Sequence, residues 1–142
     1  MKYLECEVPV TPVGKARPRM TKAGHVYTPT KTKDFEALIA MCWETQTNCG
    51  KVPGRTPICA FIEARFPIPK SATKKRRERL KSAPHTKKPD ADNVAKACLD
   101  ALNHVAYDDD SGICLLVVNK LYADEPSVRI RLSWREELEG TA

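Results

Sequence analysis

Between Lys87 and Asp110 the chain reads KKPDADNVAKACLDALNHVAYDDD, which places Asp90, Asp92, Asp100, Asp108, Asp109 and Asp110 within one short span of a protein whose net charge is +6. Two like charges ~4 Å apart at an effective dielectric of ~20 repel by roughly 4 kcal/mol. A fold that gathers several of these carboxylates therefore needs a cation among them, and hard carboxylate oxygens suit Mg²⁺ and Mn²⁺. Ordinary structural roles compete with that reading. Asp90 and Asp92 stand just before a helical pattern, where a carboxylate caps the helix and meets the positive end of its dipole. Asp108–Asp110 would also suit a solvated turn. One cap suffices for one helix, so the Asp-x-Asp pair leaves a carboxylate over.

Other chemistries are excluded by spacing. An EF-hand loop needs glycine at its sixth position; counting from Asp90 or from Asp108, that position is Ala95 or Ile113. No glycine-rich phosphate loop is present, and His25, His85 and His104 accompany no Ser or Cys nucleophile motif. Cys6, Cys42, Cys49, Cys59, Cys98 and Cys114 form no C-x-x-C pair, and most lie among apolar neighbours. They read as free thiols of a reducing compartment. The N-terminus lacks a signal-peptide core, and no apolar run approaches the ~20 residues of a membrane span. A cytoplasmic protein is the expectation.

The positive charge is concentrated. Nine Lys and Arg residues lie between Lys70 and Lys88, opposed only by Glu78. A local basic patch suits a polyanion, nucleic acid above all. A second basic stretch, GKARPRMTKAGHVYTP, reads as a loop. Pro18 favours an extended backbone around Arg17, which puts Lys15, Arg17 and Arg19 on one side.

Hydrophobic periodicity supplies the elements that must hold these groups. Tyr3–Val8 alternates and predicts a strand. Phe35, Leu38, Ile39, Cys42 and Trp43 predict an amphipathic helix over 32–47, with Thr32 as its N-cap. Residues 58–66 alternate and predict a second strand. The basic segment around 73–81 is partly helical. A second main helix starts near Asp92 and ends near His104, with Val94, Ala97, Cys98, Ala101, Leu102 and Val105 on its apolar side. Its opposite arc carries Asp92, Lys96, Asp100 and Asn103. Ile113–Tyr122 reads as a buried strand, and Val128–Trp134 as a last strand with Arg129, Arg131 and Arg135 on its other side. The order β-α-β-α-β-β predicts one α+β domain, a two-layer fold with two helices packed on one face of a small mixed sheet. The domain spans 1–135, and 136–142 reads as a flexible tail.

The segments KPDADNVAKACLDALN and YDDDSGI, together with GKARPR and VYTP near the N-terminus, resemble the RusA family of Holliday-junction resolvases. The resemblance implies a Mg²⁺-dependent endodeoxyribonuclease, with Mn²⁺ able to substitute, of the kind often encoded by phages and prophages and active in the bacterial cytoplasm. It implies that Asp90, Asp92 and Asp110 are metal-binding catalytic carboxylates, that Asp109 is an auxiliary, and that Lys96 matches a catalytic lysine. It also implies a homodimer, because a four-way junction needs two symmetric cuts. Lys15, Arg17, Arg19, Lys74, Lys75, Arg76, Arg77, Lys87 and Lys88 are the expected DNA-backbone contacts. A nuclease acting on forks or flaps, and a non-catalytic DNA-binding protein of the same fold, are the competing readings.

Overall fold

The computed structural model describes residues 1–136; of the expected tail, 137–142 lie outside the described residues. The elements are β1 (Lys2–Val8), β2 (Arg19–Met20), β3 (Val26–Tyr27), α1 (Thr30–Thr47), β4 (Ile58–Pro67), α2 (Lys74–Leu80), α3 (Ala91–Leu102), a 3₁₀ turn (Asp110–Gly112), β5 (Ile113–Ala123) and β6 (Ser127–Trp134). Four strands form a mixed sheet in the order β1-β6-β4-β5. β6 runs antiparallel to both β1 and β4, while β4 and β5 are parallel. The expected α+β architecture is present, the expected helical part of the basic segment is α2, and a small hairpin, β2–β3, is added.

Alternation makes the two faces of the sheet different. Ile58, Ala60, Ile62, Ala64 and Phe66 of β4 and Val128, Ile130 and Leu132 of β6 are buried together under the helices. α1 packs against β1 and α3, and α3 reaches β5. α1 buries Thr32, Phe35, Ile39 and Trp43, a stripe at helical spacing. Its start differs from the sequence expectation. Pro29 occupies the N-cap position and Thr32 lies inside the helix, fully buried. No side-chain cap is made; the Pro29 carbonyl accepts the N–H groups of Thr32 at 3.1 Å and Lys33 at 3.2 Å. The helix ends at Asn48, which adopts the left-handed conformation (φ 54°, ψ 51°). Trp43 then ties the exit down, because its indole N–H donates to the Gly50 carbonyl at 2.8 Å.

The buried face of α3 is Val94, Ala95, Ala97, Cys98, Ala101 and Leu102. Three alanines and a cysteine let the helix lie close to α1. β5 corrects an expectation: it is not a buried strand. Leu115, Leu116 and Val117 are 47, 43 and 42% exposed. β5 is the sheet's edge, with β4 as its one in-sheet neighbour, and among the described residues its outward face has no covering layer. An apolar run alone cannot distinguish a strand covered on both faces from one that awaits a cover.

Trp43→Ala removes the largest fully buried side chain and its hydrogen bond. Unfolding in urea is expected to show a loss of ~3–5 kcal/mol, with secondary structure retained by circular dichroism in the absence of denaturant.

Candidate metal and DNA site

The site is built on the crossover between β4 and β5. Two parallel neighbours cannot be joined by a tight turn. The chain therefore leaves β4 at Pro67, forms α2, then α3, and re-enters beside Ile58, which pairs with Ile113. Asp90 and Asp92 stand at the start of α3. Asp110 stands past its end, in the 3₁₀ turn that feeds β5. The helix between them rises ~18 Å at ~1.5 Å per residue. Tyr107 folds the intervening chain back onto the helix: its hydroxyl donates to the Leu99 carbonyl at 2.5 Å. Burial raises the Tyr107 pKa, and the charges of Asp110 and Asp100 raise it further. The hydroxyl therefore stays protonated and keeps its donor.

The N-terminal loop closes over the other side of α3. The Lys15 N–H donates to the Asn93 carbonyl at 2.9 Å. Gly14 makes this approach feasible, since a Cβ there would lie 2.7 Å from the Pro89 Cβ and 3.3 Å from the Asn93 Cβ. The Lys15 ammonium, with its side chain only 17% exposed, lies 2.5 Å from Glu36 and 3.2 Å from Asp100. Burial alone would lower its pKa, but the hydrogen bonds it donates to both carboxylates outweigh that and hold it above the usual lysine value. Lys15, expected on DNA, is thus an internal clamp between α1 and α3.

The six aspartates divide into two sets. Asp100 pairs with Lys15. Asp108 pairs with Lys51 at 2.8 Å, and that hydrogen bond holds its carboxyl below the usual range. Asp109 accepts the Ser111 N–H at 3.1 Å, which likewise lowers its pKa. Among the described residues, Asp90, Asp92 and Asp110 have no such partner, neither an ion pair nor a side-chain hydrogen bond. Asp90 holds the N-cap position of α3, yet its carboxylate makes no capping bond. All three are exposed. The capping role open from the sequence is therefore unused, and so is a helix-surface ion pair between Lys96 and either Asp92 or Asp100.

Among the described residues, no three His, Cys, Asp or Glu side chains are gathered closely enough to hold a metal ion between them. The donor chemistry nevertheless fits Mg²⁺. Mg²⁺ is usually bound through one or two carboxylates, with water and substrate phosphates completing the shell, rather than by an all-protein cage. Asp90 and Asp92 supply free carboxylates of this kind at one helix entrance.

The cations divide in the same way. Arg77 is engaged, its guanidinium donating to the Pro69 carbonyl at 3.2 Å and lying 3.8 Å from Asp124. Arg17, Arg19, Lys74, Lys75, Arg76, Lys87, Lys88 and Lys96 are exposed and, among the described residues, form no ion pair. Lys87 is held by its backbone, since its carbonyl accepts from the Lys120 ammonium at 2.6 Å. The segment leading to α3 is also laid on the sheet edge. Ser82 and His85 donate to the Tyr122 and Lys120 carbonyls, and the His85 ring stacks on Phe66 with centroids 3.8 Å apart. Lys51, Glu36 and His85 had no signal in the sequence, because each acts on a group far away in the chain or on a backbone.

A family model described as Endodeoxyribonuclease RusA matches residues 9–133. The chain is also similar to a protein of Bacillus subtilis (strain 168) named "Uncharacterized protein YqaN". The two are 32% identical over 128 residues, which cover 85% of this chain and 89% of the other.

The Lys15 clamp is testable as a stability element. Lys15→Met is expected to lower the unfolding free energy by ~1–3 kcal/mol, the scale of a lost charge-assisted hydrogen bond. The double variant Lys15→Met/Asp100→Asn should lose less than the sum of the two single changes in urea melts, because both remove one shared interaction.

Proposed function

The chain belongs to the RusA endodeoxyribonuclease family, and on that premise we propose that it is a Mg²⁺-dependent, homodimeric nuclease that resolves four-way DNA junctions. The observation that carries the metal assignment is the division of the aspartates. Asp100, Asp108 and Asp109 have protein partners, whereas Asp90, Asp92 and Asp110 do not. Three solvated carboxylates that form no ion pair among the described residues, in the span that matches the family, suit a hard divalent ion.

Asp90 and Asp92 at the entrance of α3 would hold Mg²⁺, for which Mn²⁺ would substitute, with water and DNA phosphate completing the shell; Asp110, which the protomer does not gather with them, is the third metal carboxylate that the family resemblance implies. The bound ion would supply charge for the phosphodiester transition state and a more acidic water. Lys96 sits one helical turn after Asp92, with its ammonium free to face the scissile phosphate and offset the charge that develops there. Arg17, Arg19, Lys74, Lys75, Arg76, Lys87 and Lys88 would hold the DNA backbone and make its affinity salt-dependent. Asp109, fixed on Ser111, shapes the turn that presents Asp110.

The open sheet face supports the homodimer. Tyr3, Phe61, Leu115 and Val117 are exposed there. Around them Glu5 pairs with Arg131, Glu7 with Arg129 and Glu63 with Arg65. A charge-balanced rim around an apolar centre repels neither itself nor a copy of itself, as a two-fold interface requires. It offers little attraction to DNA.

Asp90→Asn, Asp92→Asn and Asp110→Asn are each expected to slow cutting of a synthetic four-way junction by ~10²-fold or more. Binding of the junction in EDTA should be kept. Asp108→Asn should cut within a few-fold of the wild-type rate. Near-wild-type cutting by Asp90→Asn would remove the metal assignment, and equal wild-type cutting of junction, fork and duplex would remove the resolvase reading. Phe61→Arg, in turn, is expected to convert a dimer into a monomer in sedimentation velocity. A wild-type monomer at micromolar concentration would show that the open face has another use.

A further inference from the structure

Hairpin β2–β3 interrupts what the sequence suggests is a plain basic loop. From Val8 to Lys33 the chain carries Lys15, Arg17, Arg19, Lys22, Lys31 and Lys33 and not one Asp or Glu. The hairpin forms a two-stranded sheet separate from the main one. Its turn is well defined: the Thr21 N–H donates to the His25 carbonyl at 2.8 Å, and the Gly24 N–H donates to the Thr21 carbonyl at 3.0 Å. The His25 N–H donates to the Thr21 hydroxyl at 3.1 Å. Gly24 takes φ +86°, which side chains with a Cβ rarely adopt.

The register pairs Arg19 with Tyr27 and Met20 with Val26. Directly paired residues project from the same face. One face therefore shows a guanidinium beside an aromatic ring, and the other shows two apolar side chains. Neither face is covered by the domain: Met20 is 68% exposed, Val26 66% and Tyr27 44%. An isolated two-stranded hairpin is marginal in water, and solvated apolar groups on both faces gain it nothing. The arrangement makes sense when something covers it.

The charge identifies the cover. The open sheet face is apolar but balanced in charge, whereas the hairpin is apolar and purely cationic. An occupant must offer anionic groups beside flat apolar surfaces, and nucleic acid with unstacked or terminally stacked bases does so. In an uninterrupted duplex those base faces are hidden; at a branch point they are reachable.

We propose that hairpin β2–β3 is a branch-probing arm, in which Tyr27 and Met20 pack against base faces at the point of strand exchange while Arg17, Arg19 and Lys22 hold the flanking phosphates. This rests on the reading of the protein as a nuclease of branched DNA, and it supplies a source for the branch selectivity. All five side chains are exposed, so their truncation leaves the core intact.

The test uses the full chain in EDTA, so that DNA is bound and not cut. A four-way junction carries 2-aminopurine at its centre, and a duplex of the same arm sequence is the comparison. Wild type should change the 2-aminopurine fluorescence on binding. Tyr27→Ala and Met20→Ala should abolish that change and weaken junction binding by roughly 5- to 150-fold, the range for a lost base-stacking contact. Duplex binding should move less than about two-fold. Unaltered junction affinity and fluorescence in both variants overturns the arm while leaving the nuclease reading in place. Equal losses on junction and duplex also overturn it, by assigning the hairpin to the backbone. A shift from dimer to monomer in these variants assigns the hairpin to self-association instead. If wild type binds neither DNA, the nuclease reading fails and the arm fails with it.

Discussion

The parallel pairing of β4 with β5 is the constraint on which the site depends. Ile58 sits opposite Ile113, so both strands start at the same end of the sheet. The chain must travel back along the sheet between them, and a dozen or more residues are needed for such a return. That return contains α2, α3 and the acidic turn. Its two carboxylate groups consequently flank a single helix, whose position is fixed by apolar burial rather than by charge. Val94, Cys98 and Leu102 are fully buried, while Asp92 and Lys96 project from the opposite arc. Tyr107 and Lys15 act on the two sides of this helix. One holds its C-terminal turn to the chain that leads into β5, and the other holds it to α1. Catalytic geometry of this kind needs support from groups that do no chemistry.

The same economy appears in the charges. An ion that is already paired is a poor ligand, because its partner must be displaced and left unpaired. Asp100 and Asp108 have lysine partners contributed by the N-terminal loop and by the segment after α1. Lys81 and Arg77 share Asp124. Around the entrance of α3, unpaired bases and unpaired acids occupy adjacent positions among the described residues, Lys87–Lys88 immediately before Asp90 and Asp92. An acidic metal site would repel a polyanion; free cations beside it lower that barrier and set the distance at which a phosphate is held.

Much of the fold was legible because it rests on local periodicity. β1, β4, β6, α1 and α3 appear within a few residues of their expected bounds, since burial on one face forces a period of 2 or 3.6. What was not legible depended on pairing at a distance. β5 looked buried because its residues are apolar, yet sheet order leaves it at the edge. Lys15 looked like a DNA contact because it alternates with Arg17 and Arg19; only the approach of α1 and α3 turns it inward. Arg129 and Arg131 were seen on the outer side of β6, but their pairing with Glu7 and Glu5 follows from a register between the first and last strands. For the site, residue types were legible from motif and spacing, and the sorting of six similar aspartates was not. That sorting required the partners Lys51 and Lys15, which lie 57 and 85 residues from Asp108 and Asp100 by the numbering.

The two exposed apolar surfaces show why composition is a weak guide to partners and local charge is a better one. Both carry aromatic side chains, and hydrophobicity alone would assign them the same kind of cover. On the sheet face, Glu5, Glu7 and Glu63 meet Arg131, Arg129 and Arg65 within the protomer. The desolvation cost of covering those ions is thus partly met by contacts that already exist, and a second copy adds no net field. On the hairpin, Arg19 pairs with no acid among the described residues. Covering Tyr27 with an uncharged or cationic surface would strand that guanidinium, at the cost of an unpaired ion. A phosphate beside a base face removes the cost and buries the ring in one step. The sheet face and the hairpin therefore suit different partners, the first a charge-balanced surface and the second an anionic one.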